Sequence, residues 1–322
     1  MRSITELGVM YEEYLSNNQT NHIPKVLEES ASHIMSMKGK RIRPLLLLES
    51  CQLFGGNVEK ALPIATVIEI FHNFSLVHAD IIDEAEIRRG EAAVHAKYGT
   101  NQAILTGDAM LLSTFMILSE HATEHLQDLI DTFSDAAMKV VEGEQEDLNF
   151  ETREEVSMDE YMEMIAFKTS VLLGASLKMG AILAGASEED QEHIYDFGLN
   201  LGLAFQIKDD YLDAYADPEK FGKKVGGDII QNKKTYLMIK AFQVANEVEH
   251  DSLTHLLSES NATKKVDGVL ELYDELGIKE YTFDKMEELY EKAKNSLQHT
   301  SLSSDQKEHL AVLADSIYHR DF

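Results

Sequence analysis

The segment from Gln206 to Asp213, QIKDDYLD, places three carboxylates in a part of the chain that otherwise has the composition of a buried helix. On a helix, Asp209 and Asp213 are four residues apart and share one face, with Asp210 beside them. Two carboxylates on one helical face can hold a divalent cation. The segment therefore predicts a helix that carries a metal site.

A solvated acidic face is the competing interpretation, because the chain contains 57 Asp and Glu among its 322 residues. Three acids at this spacing should arise by chance about twice in so acidic a chain. The residues that lead into the segment, from Phe197 to Ile207, are mostly apolar. Carboxylates in an apolar wall cost free energy unless they are paired or bound to metal. This context favours the metal site over the solvated face.

Composition limits the classes of protein to which the chain can belong. Its length allows one or two domains, and an apolar content of 44% is ample for a large core. The net charge of −28 argues against non-specific binding to nucleic acid, which requires an excess of Lys and Arg. A chain this acidic binds an anionic substrate by concentrating its few cations locally or by recruiting metal ions.

The sequence also predicts a soluble protein of the cytoplasm. No uninterrupted apolar run approaches the roughly 20 residues that span a bilayer, so we expect no transmembrane segment. The N-terminal residues lack the long apolar stretch of a signal peptide. The single Cys51 excludes a disulfide within the chain, which fits a reducing compartment.

Apolar residues recur at helical spacing along most of the chain, and Pro occurs only four times. Convincing strand patterns are absent from the sequence, so we predict an all-α protein. The densest basic cluster is Met37 to Pro44, MKGKRIRP, and Pro44 followed by four leucines predicts the start of a helix. Cations at the N-terminus of a helix favour the binding of phosphate.

A second buried helix also delivers carboxylates at its end. The stretch from Ala61 to Val77 is mostly apolar, and Asp80, Asp83 and Glu84 follow it. This order of apolar and acidic residues is the same as in the segment that ends at Asp213. We therefore expect two helices that each present an acidic cluster.

Four further features contain charged or polar groups. His72 alone would more often be a core histidine than a ligand, but its place about two helical turns before the second acidic cluster adds weight to a functional role. Lys168 interrupts an apolar stretch and therefore needs a partner or an anion. The acidic run from Glu142 to Glu155 has the default interpretation of a solvated face. The sequence of residues 221–227, FGKKVGG, predicts a flexible glycine and lysine loop.

Taken in order, these features resemble the trans-isoprenyl diphosphate synthases, also called the polyprenyl synthetase family. The resemblance runs from about Gly39 to Tyr236 and rests on seven motifs in the family's order. The motifs are Gly39 to Pro44 (GKRIRP), Ser75 to Asp83 (SLVHADIID), Arg88-Arg89-Gly90, Phe167-Lys168-Thr169, Gln206, Asp209 to Asp213 (DDYLD) and Phe221-Gly222-Lys223.

The resemblance implies a single helical domain over residues 1–322, an antiparallel bundle of the isoprenoid synthase type around a deep central cavity. It also implies a homodimer. In this family, two acidic clusters face each other across the mouth of the cavity and hold Mg²⁺ on an allylic diphosphate. The metal ligands that the resemblance implies are Asp80, Asp83, Asp209, Asp210 and Asp213.

The resemblance further implies two diphosphate sites. Isopentenyl diphosphate would be bound by Lys40, Arg43, His72 and Arg89. An allylic diphosphate (dimethylallyl, geranyl or farnesyl) would be bound by Arg88, Lys168, Lys223 and Lys233. The residues expected to take part in catalysis are Asp80, Asp83, Lys168, Thr169, Gln206 and Asp209.

The chemistry implied is a condensation through a carbocation. As the allylic C–O bond breaks, negative charge grows on the diphosphate, where Mg²⁺ and Lys or Arg stabilise it. Thr169 and Gln206 would stabilise the cation, and apolar walls would exclude water. Phe74, about one turn before the acidic motif, would set the floor of the cavity. That ring favours a C15 to C20 product, geranylgeranyl diphosphate first, although Phe74 is equally explained as core.

Two positions depart from the family pattern: Ala79 replaces the first aspartate of Asp-Asp-x-x-Asp, and Glu144 stands where Gln is more common. Three interpretations of Ala79 stay open. Asp80 and Glu84 rebuild the acidic pair one residue along, the change disables an enzyme, or the chain is a binding or regulatory subunit. We favour an active or ancestrally active prenyltransferase. A class I terpene cyclase is the alternative of a different class, and it would need only one substrate.

Overall fold

The structure is a computed structural model, and it describes residues 1–122, 124–216 and 226–318. Within these ranges the only strands are β1 (Ile87–Arg88) and β2 (Glu91–Ala92), which pair antiparallel. All other regular structure in the described residues is helical. The all-α prediction is confirmed.

The first seven helices in chain order are α1 (Ile4–Asn18), α2 (Glu28–Ser36), α3 (Ile42–Leu53), α4 (Val58–Ile82), α5 (Val94–Tyr98), α6 (Thr100–His121) and α7 (Leu126–Thr152). A π-helical turn, Ala166–Ser170, connects the next two, α8 (Met158–Ile165) and α9 (Val171–Leu183). The rest are α10 (Glu188–Tyr215), α11 (Gly227–Ile230), α12 (Tyr236–Val244), α13 (Glu247–Leu257), α14 (Ala262–Glu275), α15 (Ile278–His299) and α16 (Ser304–Tyr318).

The chain divides into two compact units, and the boundaries fall within α7, α9 and α10. Unit 1 comprises Met1–Ala137 and Ala175–Tyr195. Unit 2 comprises Met138–Gly174 and Asp196–Phe322, of which the described part ends at 318. The single domain expected from the sequence stays a prediction.

Helix α4 is the centre of unit 1. It begins after Asn57, whose side chain accepts a hydrogen bond from the Lys60 backbone N–H at 3.0 Å. This cap satisfies one of the free N–H groups at the start of the helix. Most of the helix is buried on every side, and it packs against α3 and α6. Burial on every side explains why the sequence there is apolar rather than amphipathic.

A tight turn follows the end of α4 and leads into the two short strands. Asp83 caps the helix, and Glu84 takes a left-handed conformation with φ of 51°. Between β1 and β2, Arg89 and Gly90 have φ of 52° and 83°. Positive φ at both central residues is typical of the turn that suits a twisted two-residue hairpin. The hairpin therefore returns Arg88 and Arg89 toward the end of α4.

In unit 2, the π-helical turn carries Lys168 and Thr169, and two glycines allow neighbouring helices to approach it closely. A Cβ on Gly143 of α7 would lie 2.4 Å from the Lys168 backbone nitrogen. A Cβ on Gly202 of α10 would lie 2.8 Å from the Ser170 Cα. Short π-helical turns inside α-helices are frequent at functional sites.

Three helical segments in the described residues are long and apolar enough to cross a bilayer, judged by length and composition alone. They are Val58–Ile82, Thr100–His121 and Met158–Leu183, and the shares of their apolar windows that are buried are 78%, 44% and 72%. The prediction that no transmembrane segment is present is therefore not confirmed. Each of these helices contains a few polar residues, so none of them is an uninterrupted apolar run, although each is apolar enough on average to span a bilayer.

Candidate active site

A basic cluster in unit 1 gathers Arg43 from the start of α3, His72 from the middle of α4 and Arg89 from the hairpin. Arg43 Nη1 lies 3.4 Å from His72 Nε2. Burial lowers the pKa of Arg43 to about 10, a shift that Glu69 opposes and Arg89 increases. Burial also lowers the pKa of Arg89, with Arg41 and Arg88 adding to the effect. Cations crowded in this way are relieved by a bound anion.

His72 is neutral in this setting. Its pKa is lowered well below the usual value by burial first and then by the charges of Arg43 and Arg89. Because Arg43 has only donors, His72 Nε2 must accept at that contact, which leaves the proton on Nδ1. His72 can therefore still donate one hydrogen bond to an anion.

The structure places the first acidic segment at the end of α4, where Asp80 is fully buried and Asp83 is exposed. Arg88 donates to Asp80 Oδ1 from Nε at 2.9 Å and also from Nη2. The other oxygen, Oδ2, is buried and accepts no hydrogen bond from the residues that the structure describes. A buried carboxylate oxygen in that state suits a cation or a polar ligand.

One of the three interpretations of Ala79, that Asp80 and Glu84 rebuild the acidic pair one residue along, is not supported by the helical geometry. The spacing of four residues brings side chains together only within a helix, and α4 ends at Ile82. Glu84 lies beyond the helix with a left-handed backbone, and its side chain is exposed. Ala79 is therefore not compensated by a shift of one residue.

Unit 2 contains a cleft lined by several of the predicted residues. Its lining includes Lys168, Thr169, Gln206, Asp210 and Lys233. Thr169 Oγ1 donates to Gln206 Oε1 at 3.0 Å, and Gln206 Nε2 lies 3.3 Å from Asp210 Oδ1. The sequence prediction that these residues share a site is consistent with this arrangement.

Lys168 is held by two carboxylates of α7. Its Nζ lies 2.7 Å from Asp147 Oδ2 and 3.0 Å from Glu144 Oε2. Burial works to lower the pKa of Lys168, but Asp147 and Glu144 raise it overall. The partner that the sequence required for this lysine is thus found. The interpretation of residues 142–155 as a solvated face is wrong for Glu144 and Asp147.

Asp210 acts as a hydrogen-bonded anchor in this structure. Its Oδ2 accepts from the Tyr161 hydroxyl at 2.5 Å and from the Tyr236 backbone N–H at 3.0 Å. Burial raises its pKa, against the effect of these hydrogen bonds. Both oxygens of Asp210 accept hydrogen bonds, and its role as a metal ligand stays a prediction.

Asp209 and Asp213 lie one turn apart near the end of α10, as predicted. Asp213 Oδ2 accepts from the Asp228 backbone N–H at 2.9 Å, which joins the helix to α11. Burial raises the pKa of the Asp228 side chain to about 6; Lys233 opposes this shift, whereas Asp213, Asp210 and Asp147 add to it. Negative charge is therefore concentrated around Asp228, where several carboxylates lie close together.

Within the described residues, no group of three or more His, Cys, Asp or Glu side chains converges as a metal site of protein ligands alone. Lys223, predicted to bind the allylic diphosphate, lies outside the described residues, as does the rest of Phe221-Gly222-Lys223. Lys40 is exposed at the loop before α3.

Sequence reasoning missed several residues that shape these sites. Asp147 and Glu144 were concealed by the acidic run around them, although their spacing of three residues next to Gly143 was a usable signal. Tyr161 and Asp228 have no sequence signal of their own, because their partners come from distant parts of the chain.

The polyprenyl synthetase family matches residues 24–276. A short chain isoprenyl diphosphate synthase of Methanothermobacter thermautotrophicus is 37% identical over 322 residues, covering 100% of this chain and 98% of the relative. A geranylgeranyl diphosphate synthase of Sulfolobus acidocaldarius is 38% identical, covering 88% and 87%. A crystal structure of a geranylgeranyl pyrophosphate synthase superposes with a TM-score of 0.94 and 40% identity, covering 100% of both chains.

The chain belongs to the polyprenyl synthetase family. The match covers well over half of the chain and includes every element that carries a residue of the two sites described above.

Proposed function

We propose that this protein is a short-chain trans-prenyltransferase that condenses isopentenyl diphosphate with an allylic diphosphate. The observation that carries the proposal is the basic cluster of unit 1, in which the half-buried Arg43 and His72 lie beside the exposed Arg89. Such a cluster suits a diphosphate. Unit 2 supplies a separate set of cations, Lys168 and Lys233, beside carboxylates. Two diphosphate sites are what a condensation of two diphosphates needs.

Isopentenyl diphosphate would occupy the basic cluster, with Lys40 joining it from the exposed loop. In unit 2, Lys168 and Lys233 would bind the allylic diphosphate, and the roles of Arg88 and Lys223 with this substrate stay predictions from the sequence. Lys168 already faces carboxylates, so an incoming diphosphate would compete with Glu144 and Asp147 for its charge.

Carboxylates fit the preference of Mg²⁺ for oxygen ligands, and Mg²⁺ commonly takes one or two carboxylates together with phosphate oxygens. In unit 1 the residues that would hold it are Asp80 and Asp83, and in unit 2 they are Asp209, Asp210 and Asp213. Bound there, Mg²⁺ would supply charge stabilisation for the departing diphosphate. The cations of the chain add to this stabilisation, and the Thr169–Gln206 pair would face the carbocation with its dipoles.

We propose a C15 to C20 product, geranylgeranyl diphosphate first. Phe74 is buried on α4 and packs against the rings of Phe71 at 5.5 Å and His78 at 4.8 Å. Phe71 in turn contacts Phe133 at 5.4 Å. A floor built from packed rings would resist a longer chain. The relatives named as geranylgeranyl diphosphate synthases support the same length.

We also propose that the protein is a homodimer in the cytoplasm. Helix α6 exposes Ile104, Leu105, Leu112, Phe115 and Met116, with relative exposures between 38% and 65%. An apolar face of this kind on one helix suits a second copy of the chain. The cytoplasmic location rests on the single cysteine, Cys51, which is buried and free.

Initial rates measured with both substrates varied test the proposal. We expect saturable dependence on each substrate. Arg43→Gln should raise the KM for isopentenyl diphosphate, and Lys233→Gln should raise the KM for the allylic diphosphate. Variants that change both constants alike would contradict two separate sites. Consumption of an allylic diphosphate without isopentenyl diphosphate would instead support a terpene cyclase.

A prenyl-diphosphate-binding or regulatory subunit is the second candidate, and Ala79 is the observation that favours it. Ala79→Asp should raise the turnover number on the order of 10²-fold if a missing ligand limits the rate, by analogy with the loss of one stabilising group. The measurement is turnover of the parent and the variant with dimethylallyl, geranyl and farnesyl diphosphate. If neither protein elongates any of these primers, the second candidate replaces the first.

A further inference from the structure

Glu69 is a buried carboxylate in the middle of α4, and 2% of the residue is exposed. Its Oε1 accepts from Arg41 Nη1 at 2.5 Å and from Asn73 Nδ2 at 3.0 Å. Buried charges are retained when they are paired and hydrogen-bonded, as here. Glu69 lies on the same helix as His72, three residues earlier, and therefore on the same face of α4. It is next to the basic cluster but is not one of the residues expected to contact the diphosphate.

Arg41 links Glu69 to the loop before α3. It caps that helix with a left-handed backbone, φ of 49°, which is uncommon for a residue other than glycine. Its guanidinium also donates to the Met35 and Met37 carbonyls at 2.8 and 3.3 Å. Glu12 accepts from Nε at 3.0 Å on the exposed side. The buried guanidinium thus fixes the loop between Lys40 and Arg43.

Asn73 connects Glu69 to the hairpin. Asn73 Nδ2 donates to Glu69, while its Oδ1 lies 3.5 Å from Arg89 Nη1. On the other side of this guanidinium, a Cβ on Gly39 would lie 3.1 Å from Arg89 Nη1. Arg89 is therefore held between α4 and the loop that contains Gly39.

We propose that Glu69 is a positioning residue for the isopentenyl diphosphate site, an inference that rests on the proposed function. Through Arg41 it sets the loop that carries Lys40 and Arg43, and through Asn73 it sets Arg89. Its charge also reduces the repulsion among the cations, since it opposes the fall in the pKa of both Arg43 and Arg89. Without Glu69, the cations would separate before an anion arrives.

Glu69→Gln is the first test, because it keeps the shape and an acceptor for Asn73 but removes the charge beside Arg41. We expect the KM for isopentenyl diphosphate to rise about tenfold or more, as for the loss of a charged hydrogen bond. The KM for the allylic diphosphate should change much less. Calorimetric binding of isopentenyl diphosphate alone should weaken by the same factor.

Glu12→Gln is the matched control. Glu12 contacts the same guanidinium, but its side chain is 53% exposed. We expect the KM for isopentenyl diphosphate to stay within about twofold of the parent value, as for an exposed ion pair. Equal effects of Glu12→Gln and Glu69→Gln on this constant would overturn the proposal, because a general contribution to folding would then explain both.

Asn73→Leu keeps the proposal testable if Glu69→Gln does not fold. It removes the branch to Arg89 and leaves the pair of Arg41 and Glu69. We expect a higher KM for isopentenyl diphosphate at an unchanged allylic KM, and an unchanged value would overturn the role. A parent protein that binds no isopentenyl diphosphate would refute the proposed function and this role together. A parent that binds it normally, with Glu69→Gln equal to it, would refute this role alone.

Discussion

At the scale of single residues, Lys168, which is expected to bind the allylic diphosphate, is already paired with carboxylates of the chain. Glu144 and Asp147 both contact its Nζ, so carboxylates balance the positive charge of the ammonium before any substrate anion binds. Asp147 also lies 3.9 Å from Lys233 Nζ. The carboxylates therefore hold both lysines at the cleft and compete with the diphosphate that would bind there.

Replacing Glu144 by Gln should lower the KM for the allylic diphosphate roughly threefold to tenfold, because one competing carboxylate is lost from a partly exposed pair. Steady-state kinetics with farnesyl diphosphate measure the effect. Glu142→Gln, at an exposed position of the same helix, is the control and should leave this constant unchanged. A higher KM in Glu144→Gln would mean that Glu144 orients Lys168 rather than competes for it.

His72 predicts a pH dependence of stability. Its pKa is lowered in the folded state, so below pH of about 6.5 the unfolded chain takes up a proton that the folded chain does not. Stability should therefore fall as the pH falls through that value, by at most about 1.4 kcal/mol per pH unit from this group. Above a pH of about 6.5, the contribution of His72 to stability is fully present.

Urea unfolding between pH 5 and 7.5 measures this contribution. The free energy of unfolding of His72→Gln should depend less steeply on pH than that of the parent. His255→Gln, which removes an exposed histidine, should keep the parent's slope. Identical slopes for His72→Gln and the parent would show that the group is not buried against cations.

At the scale of elements, the π-helical turn is positioned by the two glycines beside it. Gly202→Ala would place a Cβ 2.8 Å from Ser170 Cα and Cβ. We expect a loss of stability of about 1 to 3 kcal/mol and a lower kcat, because Lys168 and Thr169 sit on the displaced turn. Thermal unfolding and steady-state kinetics provide the two readouts.

Gly8→Ala in α1 is the control for that substitution. Its Cβ would meet only Leu45 Cδ2 at 4.0 Å, an ordinary contact. Removing glycine from a helix interior should stabilise the protein by about 0.5 to 1 kcal/mol and leave kcat unchanged. If Gly202→Ala behaves in the same way, the π-helical turn does not depend on the close approach of α10.

The elements that sequence predicted well are those in which one pattern dominates. Pro44 followed by four leucines predicted the start of a helix, and α3 indeed begins at Ile42. The hairpin at Arg89 was not predicted, since strands of two residues are too short to show alternation. The π-helical turn was also not predicted, because it is only five residues long and the sequence around it has the same apolar pattern as an α-helix.

At the scale of the whole molecule, the sequence gives residue types and their order, whereas the sites depend on pairings between distant residues. The acidic helix ends and the basic loop were predicted from local pattern. The pairing of Lys168 with Asp147, and of Asp80 with Arg88, follows from the packing of separate elements. Ala79 was visible in the sequence, but only the end of α4 at Ile82 excluded the pair of Asp80 and Glu84.

The exposed apolar face of α6 predicts self-association. Leu112→Glu, at 65% exposure, should weaken a dimer by placing a charge in the apolar interface. Sedimentation velocity over a range of concentrations measures the change. Val248→Glu, at 75% exposure on α13, is the control and should leave the oligomeric state unchanged. A parent that is monomeric at all concentrations would contradict the proposed homodimer.

The central claim, that two diphosphate substrates are joined, is tested most directly by following carbon label from isopentenyl diphosphate. The protein is incubated with labelled isopentenyl diphosphate, farnesyl diphosphate and Mg²⁺, and the products are dephosphorylated and separated by chain length. The account predicts label in a C20 alcohol. Label that stays entirely in isopentenyl diphosphate while farnesyl diphosphate is consumed, or while neither is consumed, would contradict it.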